Sequence, residues 1–291
     1  MKIYTQNLSQ KYGSKTALHN LNITLEEDKI YGLLGRNGAG KTTFMQILAG
    51  HILPSKGKIL INNEQPFNNR NVLKSVCLIN ESNNFKRKLK LKHVLHVASK
   101  FYPTWSKQTA DHLLHVFNLD PNMSARSLSK GMESALGIII GLSSGAKITI
   151  FDEPYIGLDA SARYKFYDLL LDEYKRNPRT FILSTHLIDE ASNLFEEILL
   201  IQEGELLLHK TADELQEMSL QISGNIQAVN EYCHEKNVIF ENEMIGRKTA
   251  MLFGEKLNIQ EAKLKGLDVG RCNIQELMVH LTEKEGGRLY A

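Results

Sequence analysis

Cysteine is scarce in this 291-residue chain, which holds three: Cys77, Cys233 and Cys272. They stand far apart with no C-x-x-C spacing. That excludes a disulfide framework and a zinc site, and the three read as reduced thiols of a cytosolic protein. No run of about 18 apolar residues occurs, so no segment reads as a membrane-spanning helix. The opening stretch "MKIYTQNLSQKYG" is polar and offers no apolar core for a signal peptide. An excess of one charge is missing as well: 35 basic and 33 acidic residues leave +2, which argues against a protein that coats nucleic acid. Internal repeats and low-complexity segments are absent. What is present is an ordinary apolar content of 42%, enough to bury the core of one large domain, or of a large and a small one. The expectation is a soluble intracellular protein.

The pattern along the chain is α/β. "KIYTQNL" and "LNITLEE" alternate apolar and polar residues and read as antiparallel strands. "KIYGLLG" is a short buried strand that runs into a glycine-rich turn, and "KTTFMQILAG" has helical spacing ending at Gly50. Strands follow at "GKILINN" and "VCLINE". Residues 91–118 are helical with a break at "YPTW", and 132–142 form a further helix. "KITIFDEP" and "TFILSTH" are buried strands flanking the helix "ARYKFYDLLLDEY", and "EEILLIQEGELLLHK" is a hairpin turning at "EG". Composition shifts near residue 218. Beyond it the order β-α-β-β-α-β plus a last helix fits a small ferredoxin-like α+β domain. The expected boundaries are 1–218, with a helical insertion at about 82–143, and 219–291.

"GRNGAGKTT", Gly35 to Thr43, matches G-x-x-x-x-G-K-[ST] between a buried strand and an amphipathic helix. In that setting backbone N–H groups around Gly38, Ala39 and Gly40 form a nest for phosphate oxygens. Lys41 reaches the terminal phosphates, and the Thr42 hydroxyl can ligate Mg²⁺. The helix that follows points its positive end at the same anion. The pattern implies a nucleoside triphosphate site. It is the only phosphate loop in the chain.

"ITIFDEP" places Asp152 and Glu153 where an apolar strand ends, expected beside the loop. Asp152 can hold Mg²⁺, and Glu153 can orient or deprotonate an attacking water. His186, in "STH", ends another strand at the same sheet edge, where it could contact a γ-phosphate or that water. "LSKGM", Leu128 to Met132, opens a helix: Ser129 is a good N-cap, and Gly131 leaves room for close backbone approach.

The order of these motifs resembles the ATP-binding cassette (ABC) ATPases over roughly residues 1–215. "GRNGAGKT" looks like their Walker A, "LSKGM" their signature, "ITIFDE" their Walker B, "GLDA" their D-loop and "STH" their switch histidine. The resemblance implies a phosphate-loop core with an antiparallel β subdomain and a helical insertion. It adds Asn37 and Thr43 to the nucleotide contacts and sets Tyr12 against adenine. It also implies a dimer, homo- or heteromeric, in which Ser129, Lys130, Gly131 and Asp159 face the ATP held by the other subunit. ATP and Mg²⁺ are the implied cofactors. A separate transmembrane permease is the implied partner, with the chain peripheral on the cytoplasmic face of the membrane and no nucleic acid bound.

Departures from the family pattern mark a subgroup. Glu81, or Asn80 one residue earlier, stands where the family usually has glutamine, and a carboxylate there could still ligate Mg²⁺. Tyr155 replaces the common threonine after "DEP", and Lys130 replaces a glycine of the signature. Glu81, "SKGM" and "FYPTWSKQ" together resemble bacterial ABC-2-type exporters of peptide antibiotics or amphipathic peptides. Phenol-soluble modulin, bacitracin-type and lantibiotic-type exporters stay equally open. Lys130 is expected to point outward or to the rim of the site.

The basic run Lys86 to Lys92 reads as a solvated face, with a membrane-subunit or lipid contact as the functional option. His93/His96 and His112/His115 are spaced i, i+3, but two histidines without a third ligand rarely make a metal site. Two other functions compete: a soluble ABC ATPase acting on ribosomes or DNA, and a nucleotide-gated binding module that barely hydrolyses.

Overall fold

The computed structural model describes residues 1–81, 84–86, 88–255 and 257–282. The chain divides into two compact units: Met1–His186 with Ile201–Leu206, and Leu187–Leu200 with Leu207–Ala291.

The first unit begins with β1 (Ile3–Tyr12), β2 (Lys15–Leu21), β3 (Thr24–Leu25), β4 (Ile30–Leu34), α1 (Lys41–Leu48), β5 (Lys56–Ile61) and α2 (Arg70–Leu73). It continues through β6 (Val76–Ile79), α3 (Leu91–Ser99), α4 (Lys107–Val116), α5 (Lys130–Ser143), β7 (Ile148–Asp152), α6 (Ala160–Arg176) and β8 (Thr180–Ser184). β1 pairs antiparallel with β2, β3 and β5, which is the alternating N-terminal pattern folded into a sheet of its own.

Four strands form a parallel sheet in the order β4-β8-β7-β6. "IYGLL", "ITIFD" and "TFILS" are buried along their whole length. Strands covered on both faces carry apolar side chains toward both, hence their lack of alternation, with the buried polar Thr149, Asp152, Thr180 and Ser184 as exceptions. β7, which ends in Asp152, is not paired with β4; β8 lies between them. The loop after β4 still meets Asp152, because all these strands run parallel and open their C-terminal ends at one edge of the sheet.

The helical insertion contains α3 and α4, separated at "YPTW", and leads into α5. Ser106 ends that break by accepting the Thr109 N–H at 3.1 Å as the N-cap of α4. α5 packs against α4, β6 and β7, and is buried continuously from Ser134 to Ser143. Residues 82 and 83, where the insertion was expected to begin, and Arg87 of the basic run lie outside the described residues.

Along the rest of the chain come α7 (Ile188–Ala191), β9 (Glu197–Gln202) and β10 (Glu205–Thr211), these two joined by the turn at Glu203 and Gly204. After them stand α8 (Ala212–Glu217), β11 (Ser219–Asn225), α9 (Ile226–Cys233), β12 (Val238–Met244) and β13 (Arg247–Phe253). α10 (Ile259–Leu264), β14 (Asp268–Gly270) and α11 (Ile274–Thr282) complete the described chain. The sheet order is β12-β13-β11-β14, all antiparallel. Counted from β11, that is second, third, first, fourth: the split β-α-β arrangement of a ferredoxin-like sandwich. Leu220, Ile222, Val229, Tyr232, Leu252 and Ala262 form its core between sheet and helices.

Candidate active site

The phosphate loop leaves β4 at Leu34 and enters α1 through Gly40, whose φ is 111°. A Cβ at Gly40 would sit 2.5 Å from the Ala17 carbonyl oxygen, so both conformation and space demand glycine. The turn at Gly204 braces the loop from behind: its N–H donates to Ala39 O at 2.9 Å, and its carbonyl accepts from His19 N–H at 2.8 Å. No side chain caps the first turn of α1, which leaves those N–H groups for an anion. Lys41 Nζ donates to the carbonyls of Gly35 at 2.7 Å and Arg36 at 3.3 Å. Burial holds its pKa below the ordinary lysine value, while the charges of Glu153 and Asp152 push the other way.

At the sheet edge, Thr42 Oγ1 donates to Asp152 Oδ2 at 2.8 Å. The other Asp152 oxygen accepts from Ser184 Oγ at 2.6 Å, and Ser184 Oγ in turn accepts from the Glu153 N–H at 3.1 Å. Ser184 thus aligns both acids, a role that its place in "STH" did not announce. Glu153 has φ 50°, rare for a residue with a side chain. Its Oε2 lies 2.5 Å from His186 Nδ1 and 2.9 Å from the Tyr155 hydroxyl. Tyr155 is 3% exposed, and burial raises its phenol pKa far above the ordinary value.

A cleft of about 470 Å³ brings together Tyr12, Asn37, Gly38, Gly40, Lys41, Thr42, Thr43, Glu81, Asp152, Glu153 and His186. Lys15, Ala17 and Ile156, which the motifs did not single out, complete its lining. Ala39 is buried behind the loop at 6% exposure. Thr42, Asp152 and Glu81 line one cleft with side-chain oxygens, the hard donor type that suits Mg²⁺, and the first two meet at 2.8 Å.

Ser129, Lys130, Gly131 and Asp159 do not line this cleft. Ser129 caps α5 by accepting the Met132 N–H at 3.3 Å, and Asp159 caps α6 by accepting the Ala162 N–H at 2.8 Å. A Cβ on Gly131 would lie 2.4 Å from the Gly157 carbonyl oxygen, so the signature and the "GLDA" turn are packed backbone to backbone. Ser134 Oγ ties the same helix to Ile156 O at 2.6 Å. Lys130 turns toward the cleft rim, donating to the Glu81 carbonyl at 3.1 Å.

The family described as ABC transporter matches residues 18–156. The chain is 32% identical over 235 residues to the bacitracin transport ATP-binding protein BcrA of Bacillus licheniformis, covering 78% of this chain and 77% of that one. It is also 32% identical over 211 residues to the lantibiotic transport ATP-binding protein SrtF of Streptococcus pyogenes, covering 72% and 90%. Among solved structures, an ATP-binding subunit of an ABC transporter superposes with a TM-score of 0.67 at 23% identity, covering 74% of this chain and 91% of that one. A dimeric ATP-binding cassette bound to ADP and phosphate gives 0.65 at 20% identity, covering 72% and 98%. With a phosphate loop, two acids and a histidine gathered at one sheet edge, and with these relatives, the chain belongs to the ABC transporter family as an ATP-binding component with ATPase function.

Proposed function

We propose that this chain powers export of peptide antibiotics or related amphipathic peptides through a separate transmembrane subunit, to which it binds from the cytoplasmic side. Two likenesses support that substrate class: the transport proteins for bacitracin and a lantibiotic, each 32% identical. Among the described residues no helix is long and apolar enough to cross a membrane. Two cassettes pair in this reading. Ser129, Lys130, Gly131 and Asp159 of one face the nucleotide held by Lys41, Thr42 and Thr43 of the other, with adenine against Tyr12. Residues 1–218 act as the nucleotide-binding unit and 219–291 as an accessory domain.

The observation that carries the catalytic assignment is Glu153 held by His186 at 2.5 Å in the same cleft as the Thr42–Asp152 pair. Glu153 orients a water toward the γ-phosphorus and takes its proton as the new O–P bond forms and the bond to the β-phosphate oxygen breaks. His186 steadies the carboxylate. Thr42, Asp152 and Glu81 would hold Mg²⁺, which neutralises phosphate charge when bound. This arrangement favours hydrolysis over a gated module that merely closes. Glu153→Gln tests it: the variant should form ATP-induced dimers yet lose steady-state turnover by about 100-fold or more, the usual scale of general-base loss. Near-normal turnover would remove Glu153 from the role.

A further inference from the structure

The hydroxyl of Tyr155 has one proton to give and two lone pairs to fill. The His186 backbone N–H donates to it at 2.9 Å, and the Thr185 side chain supplies a second hydrogen bond. His186 Nδ1 also lies 3.2 Å from the hydroxyl, but it sits closer to Glu153 Oε2 and shares its proton there, so the phenol proton is directed to Glu153 Oε2 at 2.9 Å. The same oxygen receives His186 Nδ1 at 2.5 Å. Among the described residues, the other oxygen, Oε1, has no hydrogen-bond partner, and it belongs to a residue that lines the nucleotide cleft. The Tyr155 ring stands edge-on to the His186 ring, with centroids 5.5 Å apart, which limits rotation of the imidazole as well.

We infer that Tyr155 is a positioning residue for hydrolysis: it pins Oε2 of Glu153 and leaves Oε1 as the oxygen that receives the attacking water. A carboxylate on two rotatable bonds loses rate when it samples orientations that cannot reach the water, and a second donor on the far oxygen removes them. Threonine at this position has its hydroxyl on Cβ, too short to span the distance a phenol covers. The residue is therefore a substitute with its own reach, and not a neutral replacement. The inference rests on Glu153 acting as the base.

The test compares wild type with Tyr155→Phe, Tyr155→Thr, Glu153→Gln and the Glu153→Gln/Tyr155→Phe double variant, all as full-length chains with Mg²⁺ and ATP. Tyr155→Phe keeps the ring and its packing. Its kcat should fall about tenfold while KM for ATP stays within about twofold, a rate effect of one lost positioning contact. Tyr155→Thr should fall at least as far. In the Glu153→Gln background the Phe substitution should cost nothing further, because the hydroxyl acts through the carboxylate. A Tyr155→Phe enzyme with more than half the wild-type kcat would overturn the inference. So would a full tenfold loss in the Gln background, which would mark a structural role. If Glu153→Gln alone turned over normally, the base assignment would fall first, and the Tyr155 inference with it; if only the Tyr155 variants behaved as wild type, the base assignment would stand.

Discussion

Lys130 Nζ lies 3.7 Å from Glu81 Oε1 and 3.1 Å from the backbone oxygen of the same residue. Two of the three positions at which the sequence leaves the common ABC pattern are therefore partners at the cleft rim. A lysine replacing a signature glycine has found a carboxylate replacing a glutamine. Glu81 is thereby engaged by the Lys130 ammonium, and in the function proposed above it would also serve Mg²⁺ beside Thr42 and Asp152.

The pair should couple weakly. Its side chains are 40% and 55% exposed, where ion pairs contribute about 0.2–1 kcal/mol. A double-mutant cycle of Lys130→Gly and Glu81→Gln, read as ATP affinity in Mg²⁺, is expected to give coupling within that range. Lys130→Gly alone should change ATP-dependent dimerisation by less than about tenfold, the equivalent of ~1.4 kcal/mol. A larger shift would mean that the lysine works on phosphate directly.

Gly131 should tolerate no side chain. The 2.4 Å approach to Gly157 O forces either α5 or the "GLDA" turn to move, at about 1–3 kcal/mol for an overpacked methyl. Gly131→Ala should therefore lose stability in urea unfolding. It should also lose ATP-induced dimerisation while single-chain ATP affinity stays within about threefold, less than 1 kcal/mol. Wild-type stability in this variant would show that the contact relaxes freely.

Lys41→Ala should weaken ATP binding by about 10- to 100-fold, as expected for a lost charge-assisted contact of ~1.5–3 kcal/mol. Unchanged binding by calorimetry would contradict the phosphate-loop role. Burial depresses the folded pKa of this lysine below 10.5, so the unfolded chain holds the proton more tightly. The resulting penalty on folding is full below the folded pKa and disappears as pH rises toward 10.5. Relative to Lys41→Met, the wild-type protein should gain stability in denaturant titrations as pH rises through that window. A gap that is flat or moves the other way would sink the assignment.

Much of the site was legible because its chemistry is local. The loop from Gly35 to Thr43, the acids after β7 and the histidine after β8 each sit at the end of a buried strand, and a short motif carries each signal. Ser184 and Tyr155 were harder to see. Ser184 becomes the hinge between Asp152 and Glu153 only because β8 pairs with β7 in register, Asp152 opposite Ser184. Tyr155 read as a departure without a role until its hydroxyl was found between Glu153 and the His186 backbone. The acidic strand end was expected beside the loop, and Thr42 does donate to Asp152, but the sequence did not tell that β8 stands between β4 and β7. Strand order depends on which crossovers the helices make, and a single strand's composition does not record it.

By itself, the sequence determined the order of the long buried strands and main helices, the β-α-β-β-α-β order beyond residue 218, the phosphate loop, the residue types of the catalytic set and the likeness to ABC ATPases. Those depend on periodicity and on contiguous motifs, which the chain carries whatever its tertiary contacts. The short helices at 70–73, 188–191 and 212–217 and the strand at 15–21 were not legible in it. Only the tertiary structure decided that β8 separates β4 from β7, that Lys130 pairs with Glu81, and that Gly131 is held against Gly157. It also decided that one oxygen of Glu153, Oε2, meets both His186 and Tyr155. Each of these is a meeting of residues far apart in the chain, set by packing and hydrogen-bond geometry to fractions of an ångström. No local pattern encodes such a meeting.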